Sequence, residues 1–158
     1  MSDIARTLSD LGIELPKAPP AVAAYVPVRL EGLHAYVSGQ LPFVDGALPM
    51  TGHVGSDVTL EQAQEMSRQC AINALAALHE HAGGLDNIAG IVRVGVFVAC
   101  GDGFVDHPKV GNGASELFQQ VFGETGRHAR AAVGCPSLPL GASVEVEVLA
   151  SLRKPLNT

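Results

Sequence analysis

The chain is short of charge. Asp, Glu, Lys and Arg make up only 16% of its 158 residues against 47% hydrophobic residues, which argues against disorder and leaves a surface sparse enough to be covered in part by sister subunits. Basic residues are the scarcer sign. Ten Lys and Arg stand against sixteen Asp and Glu, a net charge of −6, so the broad attraction that phosphate backbones require is missing and nucleic acid is disfavoured as a partner. Cysteine is limited to Cys70, Cys100 and Cys135, odd in number and far apart, which suits neither a disulfide framework nor a CxxC metal site. No stretch reaches the ~20 apolar residues that span a bilayer. The N-terminus lacks the basic start and apolar run of a signal peptide, so no membrane contact is expected and the cytoplasm is the default location. There is no GxxxxGK[ST] loop, no GxGxxG opening a helix, no HExxH and no GxSxG elbow. No metal and no cofactor are expected, and the available chemistry reduces to an arginine, a carboxylate and backbone groups.

The length suits one domain over residues 1–158, with an N-terminal helix and Pro-rich linker over 1–24 and a core over 25–152. Ile4, Leu8 and Leu11 at helical spacing, with Ser2 as N-cap and Gly12 as stop, predict a short amphipathic helix. Pro16, Pro19 and Pro20 then favour an extended connection over Glu14 to Ala24. Tyr25–Leu30 and Leu33–Gln40 read as a hairpin around Glu31-Gly32, ending at Ser38-Gly39-Gln40-Leu41-Pro42. Phe43 to Asp57 is a loop in which His53 is given no role. Thr59 with Gln62 resembles a capping box opening a long helix to His81, where His79 and His81 do not share a face. Ile91 to Val98 predicts a strand covered on both faces and central in the sheet, and His107 to Gly123 a second long helix.

Arg127 to Val148 carries the chemistry. Val144-Glu145-Val146-Glu147-Val148 alternates strictly, placing three valines on one face of a strand and two glutamates on the other. In the preceding strand Arg130, Ala132 and Gly134 share a face. If the two strands are neighbours, Arg130 sits beside Glu145 and Glu147, either as the floor of a site or as solvated charges on an antiparallel sheet. A guanidinium binds a substrate carboxylate with two parallel hydrogen bonds, and a carboxylate can orient and deprotonate a water; together they could hydrolyse a C=N bond next to a carboxylate.

Four blocks of residues resemble the RidA/YjgF-type family, the reactive intermediate imine deaminases also known as L-PSP endoribonucleases or translation inhibitors. They are Tyr25-Val26; Ser38-Gly39-Gln40-Leu41-Pro42; Asn112 with the helix through Phe118; and Arg130 with Leu138-Pro139 and Val144-Glu145-Val146-Glu147. The similarity runs from about Tyr25 to Ala150. It implies a chorismate-mutase-like α+β fold, a mixed sheet with two long helices on one face, and a homotrimer whose sheets form a central barrel with three clefts between subunits. It also implies hydrolysis of 2-imino acids or their enamine tautomers to 2-oxo acids and ammonia. Arg130 would match the family's carboxylate-binding arginine and Glu145 its water-positioning glutamate. Tyr25 would line or cover the cleft, and Gly39 and Asn112 would shape it. Ala132 stands where the family often has cysteine, so only a backbone amide contact could survive there. The N-terminal helix and the longer 43–57 loop suggest a divergent branch. Two other readings stay open, a non-catalytic trimeric binder of small carboxylate metabolites and an endoribonuclease. For single residues, Arg130 and Glu145 could be one intersubunit ion pair, Tyr25 simple packing, and Cys135 structural.

Overall fold

The computed structural model describes residues 1–18 and 24–156. Helix α1, Asp3–Asp10, opens on the Ser2 hydroxyl, which accepts from the Ala5 amide, and buries Leu8 against the body. Of the expected Pro-rich connection, 19–23 lies outside the described residues. Strand β1 covers Val28–Glu31 and β2 His34–Gln40, antiparallel around a two-residue turn at Gly32-Leu33. Tyr25 and Val26, expected inside the first strand, precede it in a bend.

Helix α2, Leu60–His81, follows the 43–57 loop and carries the expected capping box between Thr59 and Gln62. Strand β3 is Ile88–Ala99, helix α3 His107–Phe122, strand β4 Ala129–Cys135 and strand β5 Val144–Leu152. The five strands form one sheet in the order β1-β2-β5-β3-β4, with β3 and β4 parallel and the other neighbours antiparallel. The chain thus lays down β2, crosses over by α2 to β3, leaving one place vacant, crosses again by α3 to β4, and returns to fill the vacancy with β5.

That return corrects two expectations. Strands β4 and β5 are not neighbours, because β3 lies between them and pairs with both. Consecutive strands are adjacent in most folds, but the connection from Pro136 to Ser143 is long enough to pass over β3. The centre of the sheet is β5, not β3. Strand β3 is internal, yet its Val92 and Arg93 are exposed where the register with β5 shifts.

Alternate residues of β5, from Val144 to Leu152, are buried under α2 and α3 beside Val94, Val96 and Val98. Fully buried Leu75 and Leu78 of α2 and Leu117 and Phe118 of α3 complete this core. Gly113 sets how closely the helices approach, since a Cβ there would collide with the Gln64 carbonyl and lie 3.1 Å from the Arg68 amide. The opposite face of the sheet has no helix on it among the described residues. It exposes Tyr36 and Val133 with Arg93 and Glu147, and half-buries Phe97 and Leu149.

His53, given no role from sequence, fastens the 43–57 loop. Its Nε2 donates to the Pro136 carbonyl at 2.7 Å, and its amide donates to Asp57 Oδ2 at 2.8 Å. The cysteines are free thiols, Cys70 buried and Cys100 and Cys135 half-buried. Thr59→Ala removes one half of the capping box and is expected to lower stability by about 1 kcal/mol in urea unfolding, whereas Thr59→Ser leaves it nearly unchanged.

Candidate functional site

Arg130 leaves β4 on the helix-covered side, in the cross-strand row of Val94 and Val148. Its Nη1 donates to Asn112 Oδ1 and Ser115 Oγ, both at 3.0 Å, and its Nη2 to the Pro108 carbonyl at 3.1 Å. Pro108, Asn112 and Ser115 are at i, i+4 and i+7 of α3 and so share one helix face. None of the three acceptors is a carboxylate. The ion pairs among the described residues are Arg6–Asp3, Arg29–Glu31, Lys109–Asp106 and Arg127–Glu124, so no carboxylate is paired with Arg130. A guanidinium has five N–H donors. Both on Nη1 and one on Nη2 are used, which leaves the Nε–H and one Nη2–H, a pair suited to a carboxylate. Ala132 follows on the same face, half-buried, and because β4 is an edge strand, alternate backbone groups along it meet no neighbouring strand.

Glu145 is on the other face. Between the pairs Val37–Val148 and Gln40–Val146, two residues, Ser38 and Gly39, stand opposite the single Glu147, a bulge that bends β2. A Cβ on Gly39 would collide with Glu145 Oε1, so the absence of a side chain there is what lets the carboxylate lie on β2. Burial, and after it the charge of Glu147, hold the Glu145 carboxyl above its ordinary range. The Ser38 hydroxyl donates to the Val26 carbonyl at 2.7 Å and its amide to the Pro27 carbonyl at 2.9 Å. These bonds draw the segment after Tyr25 onto the bulge, and Tyr25 itself is 52% exposed.

The sequence-predicted residues therefore fall into two groups. Asn112, Arg130 and Ala132 line the groove between β4 and α3; Gly39 and Glu145, with Tyr25 close by, lie at the bulge on the uncovered face. Arg130 does not sit beside Glu145 or Glu147. From Arg130 to Glu145 the path is two strand spacings across and three residues along, about 14 Å between Cα atoms, and the side chains point to opposite sides.

Residues 5–152 match the protein family described as "YjgF/chorismate_mutase-like, putative endoribonuclease". The chain belongs to the YjgF family. Protein TCP17 of Trypanosoma cruzi is 41% identical over 150 residues, covering 94% of both proteins. The crystal structure of Atu1372 from Agrobacterium tumefaciens, a protein of unknown function, superposes with a TM-score of 0.88 at 43% identity, covering 94% of this chain and 92% of the other. Protein MMF1 of Saccharomyces cerevisiae is 32% identical over 144 residues, 91% of this chain and 84% of the yeast protein, and its name places it in the mitochondrion. YjgF membership thus does not by itself assign a compartment, although no helix among the described residues is long and apolar enough to cross a membrane.

Within this YjgF domain, sequence reading missed Ser115 and His128. Ser115 Oγ lies 2.9 Å from His128 Nε2, and His128 Nδ1 lies 2.7 Å from the Gly126 carbonyl. The signals were present: Ser115 is three residues after Asn112 on a helix, and His128 two before Arg130 at strand spacing.

The raised Glu145 carboxyl sets a pH dependence. A carboxyl whose folded pKa lies above its unfolded one contributes its stability below the unfolded value, and the contribution is lost as pH rises through the folded pKa. Glu145→Gln is therefore expected to unfold at higher urea than the wild type at pH 7. The advantage should close below about pH 4, where the wild-type carboxyl is protonated in both states.

Proposed function

We propose that the protein hydrolyses 2-imino acids, or their enamine tautomers, to 2-oxo acids and ammonia, at sites completed where copies of the chain meet. The observation that carries this reading is Arg130, a half-buried cation held only by neutral acceptors, with two N–H donors left over. Such a group is built to receive an anion with two parallel oxygens. With the substrate carboxylate there, the adjacent C=N carbon is fixed in place. Glu145 supplies the second function, since a carboxyl raised towards neutrality is a better base for deprotonating water. Water adds to the C=N carbon, its proton passes by way of Glu145 to the nitrogen, and the carbinolamine expels ammonia.

One chain keeps Arg130 and Glu145 on opposite faces, so the reading requires the uncovered face of one copy to meet the β4–α3 groove of another. The composition of that face supports an association: Tyr36 and Val133 are 48% and 46% exposed, with Phe97 and Leu149 half-buried between them. A closed trimer satisfies the geometry by repeating one heterologous contact three times. Gly39, Tyr25 and Glu145 would come from one subunit, and Asn112, Arg130 and the Ala132 backbone from the next. RNA cleavage receives less support, because the chain carries a net charge of −6 and so lacks the broad attraction that a phosphate backbone requires.

Ammonia release from freshly generated 2-iminobutyrate tests the proposal. The intact protein is expected to accelerate it over buffer, and Arg130→Ala and Glu145→Gln each to abolish the acceleration. Unfolding and reassembling the two inactive variants together is expected to restore activity, since about a quarter of the contacts in a randomly mixed assembly pair an intact Arg130 with an intact Glu145. No acceleration by the intact protein sinks the reaction; full activity in either single variant sinks the role given to that residue; and two inactive variants that regain nothing on mixing sink the shared site.

A further inference from the structure

Behind Arg130 the hydrogen bonds continue for two more residues. The Gly126 carbonyl lies 2.7 Å from His128 Nδ1, and a carbonyl can only accept, so Nδ1 carries a proton. In the neutral ring Nε2 is then a bare acceptor, 2.9 Å from Ser115 Oγ. The Ser115 hydroxyl must donate to it, which leaves the serine oxygen's lone pairs for Arg130 Nη1 at 3.0 Å. Every proton from Gly126 to Arg130 has one direction.

The ring cannot swing away. Fully buried Phe118 meets it edge-on, with centroids 5.9 Å apart and planes at 87°. Burial holds His128 below the ordinary imidazole range; the Gly126 carbonyl works against this and the Arg130 charge adds to it. Arg130 on β4 is the one charge among those influences, since α3 presents Ser115 and Phe118 and the turn after it presents a carbonyl. At neutral pH His128 is therefore uncharged and able to accept.

We infer that His128 and Ser115 are positioning residues that turn the Arg130 guanidinium so that its Nε–H and remaining Nη2–H face away from α3, and the site accepts a carboxylate in a single orientation. Asn112 and Pro108 alone would hold the same group through one donor on each terminal nitrogen and leave it free to tilt. The third bond, to a hydroxyl whose own proton is committed, fixes the plane. This inference rests on Arg130 as a carboxylate anchor and is independent of the chemistry at the C=N bond.

The test uses 2-oxobutyrate, a carboxylate with no C=N bond, titrated calorimetrically at pH 8 into the intact protein, Ser115→Ala, His128→Phe and His128→Gln. Ser115→Ala and His128→Phe are expected to weaken binding about fivefold, since the bonds to Asn112 and Pro108 remain and only the orientation of the guanidinium is loosened, while His128→Gln, whose amide keeps an acceptor for Ser115, stays within about twofold. Equal affinity in all four proteins overturns the inference, and so does an intact protein that does not bind 2-oxobutyrate at all. Nitrogen NMR of His128 supplies a readout that general loosening would not mimic. The neutral ring is expected to carry its proton on Nδ1, and its titration midpoint to rise in Arg130→Met. A proton on Nε2 overturns the brace whatever the affinities are. If the binding pattern holds while the intact protein releases no ammonia from 2-iminobutyrate, the brace stands and the deaminase reading falls.

Discussion

The alternation of valine and glutamate along β5 constrains everything else in the sheet. With strands on both sides and helices over one face, a slip of one residue would place Glu145 and Glu147 beneath α2 and α3 and turn Val144, Val146 and Val148 outward. Burying two unpaired carboxylates in that core costs far more than the hydrogen bonds regained. The register is thereby fixed, and with it the row in which Glu145 meets the β2 bulge and Glu147 lies against Gly95.

At the other end of the sheet the arrangement is reversed: a cation sits in a partly dry groove without a counter-ion. Hydrogen bonds to a charged group are worth about 1.5–3 kcal/mol each, so three of them hold Arg130 in place without neutralising it. The protein keeps the charge and gives up only the conformational freedom of the side chain. Glu145 shows the complementary condition, a carboxyl kept from its ordinary acidity by burial and by a second carboxylate. Each group is disfavoured in the isolated chain in a way that an opposite charge would relieve.

Much of the fold was legible because its signals are local. The capping box at Thr59, the valine-glutamate alternation of β5 and the stop at Gly123 each depend on residues within one turn or one strand. The order of strands was not legible in the same way. Nothing within Arg127 to Val148 says that β3 will lie between β4 and β5; that depends on α2 skipping a place in the sheet. The same non-local fact separated Arg130 from Glu145. Gly39 was expected to shape the cleft, but that it does so by making room for the Glu145 carboxylate is visible only in the bulge. His53 was given no role because its partner, the Pro136 carbonyl, is 83 residues away in sequence.

The two edges of the sheet differ in how they guard against other strands. Strand β1 is only four residues long and displays Arg29 and Glu31. Strand β4 is seven residues long, mostly alanine, valine and glycine, and its one charge is turned inward under α3. Edges are ordinarily kept soluble by charges that face outward, and here the residue that could serve as gatekeeper is engaged elsewhere. A dilute, isolated copy would therefore present a bare template for strand addition. Of the two edges, β4 is the one left open to a further strand, and what lies along it in an assembly also decides whether its free backbone groups are paired.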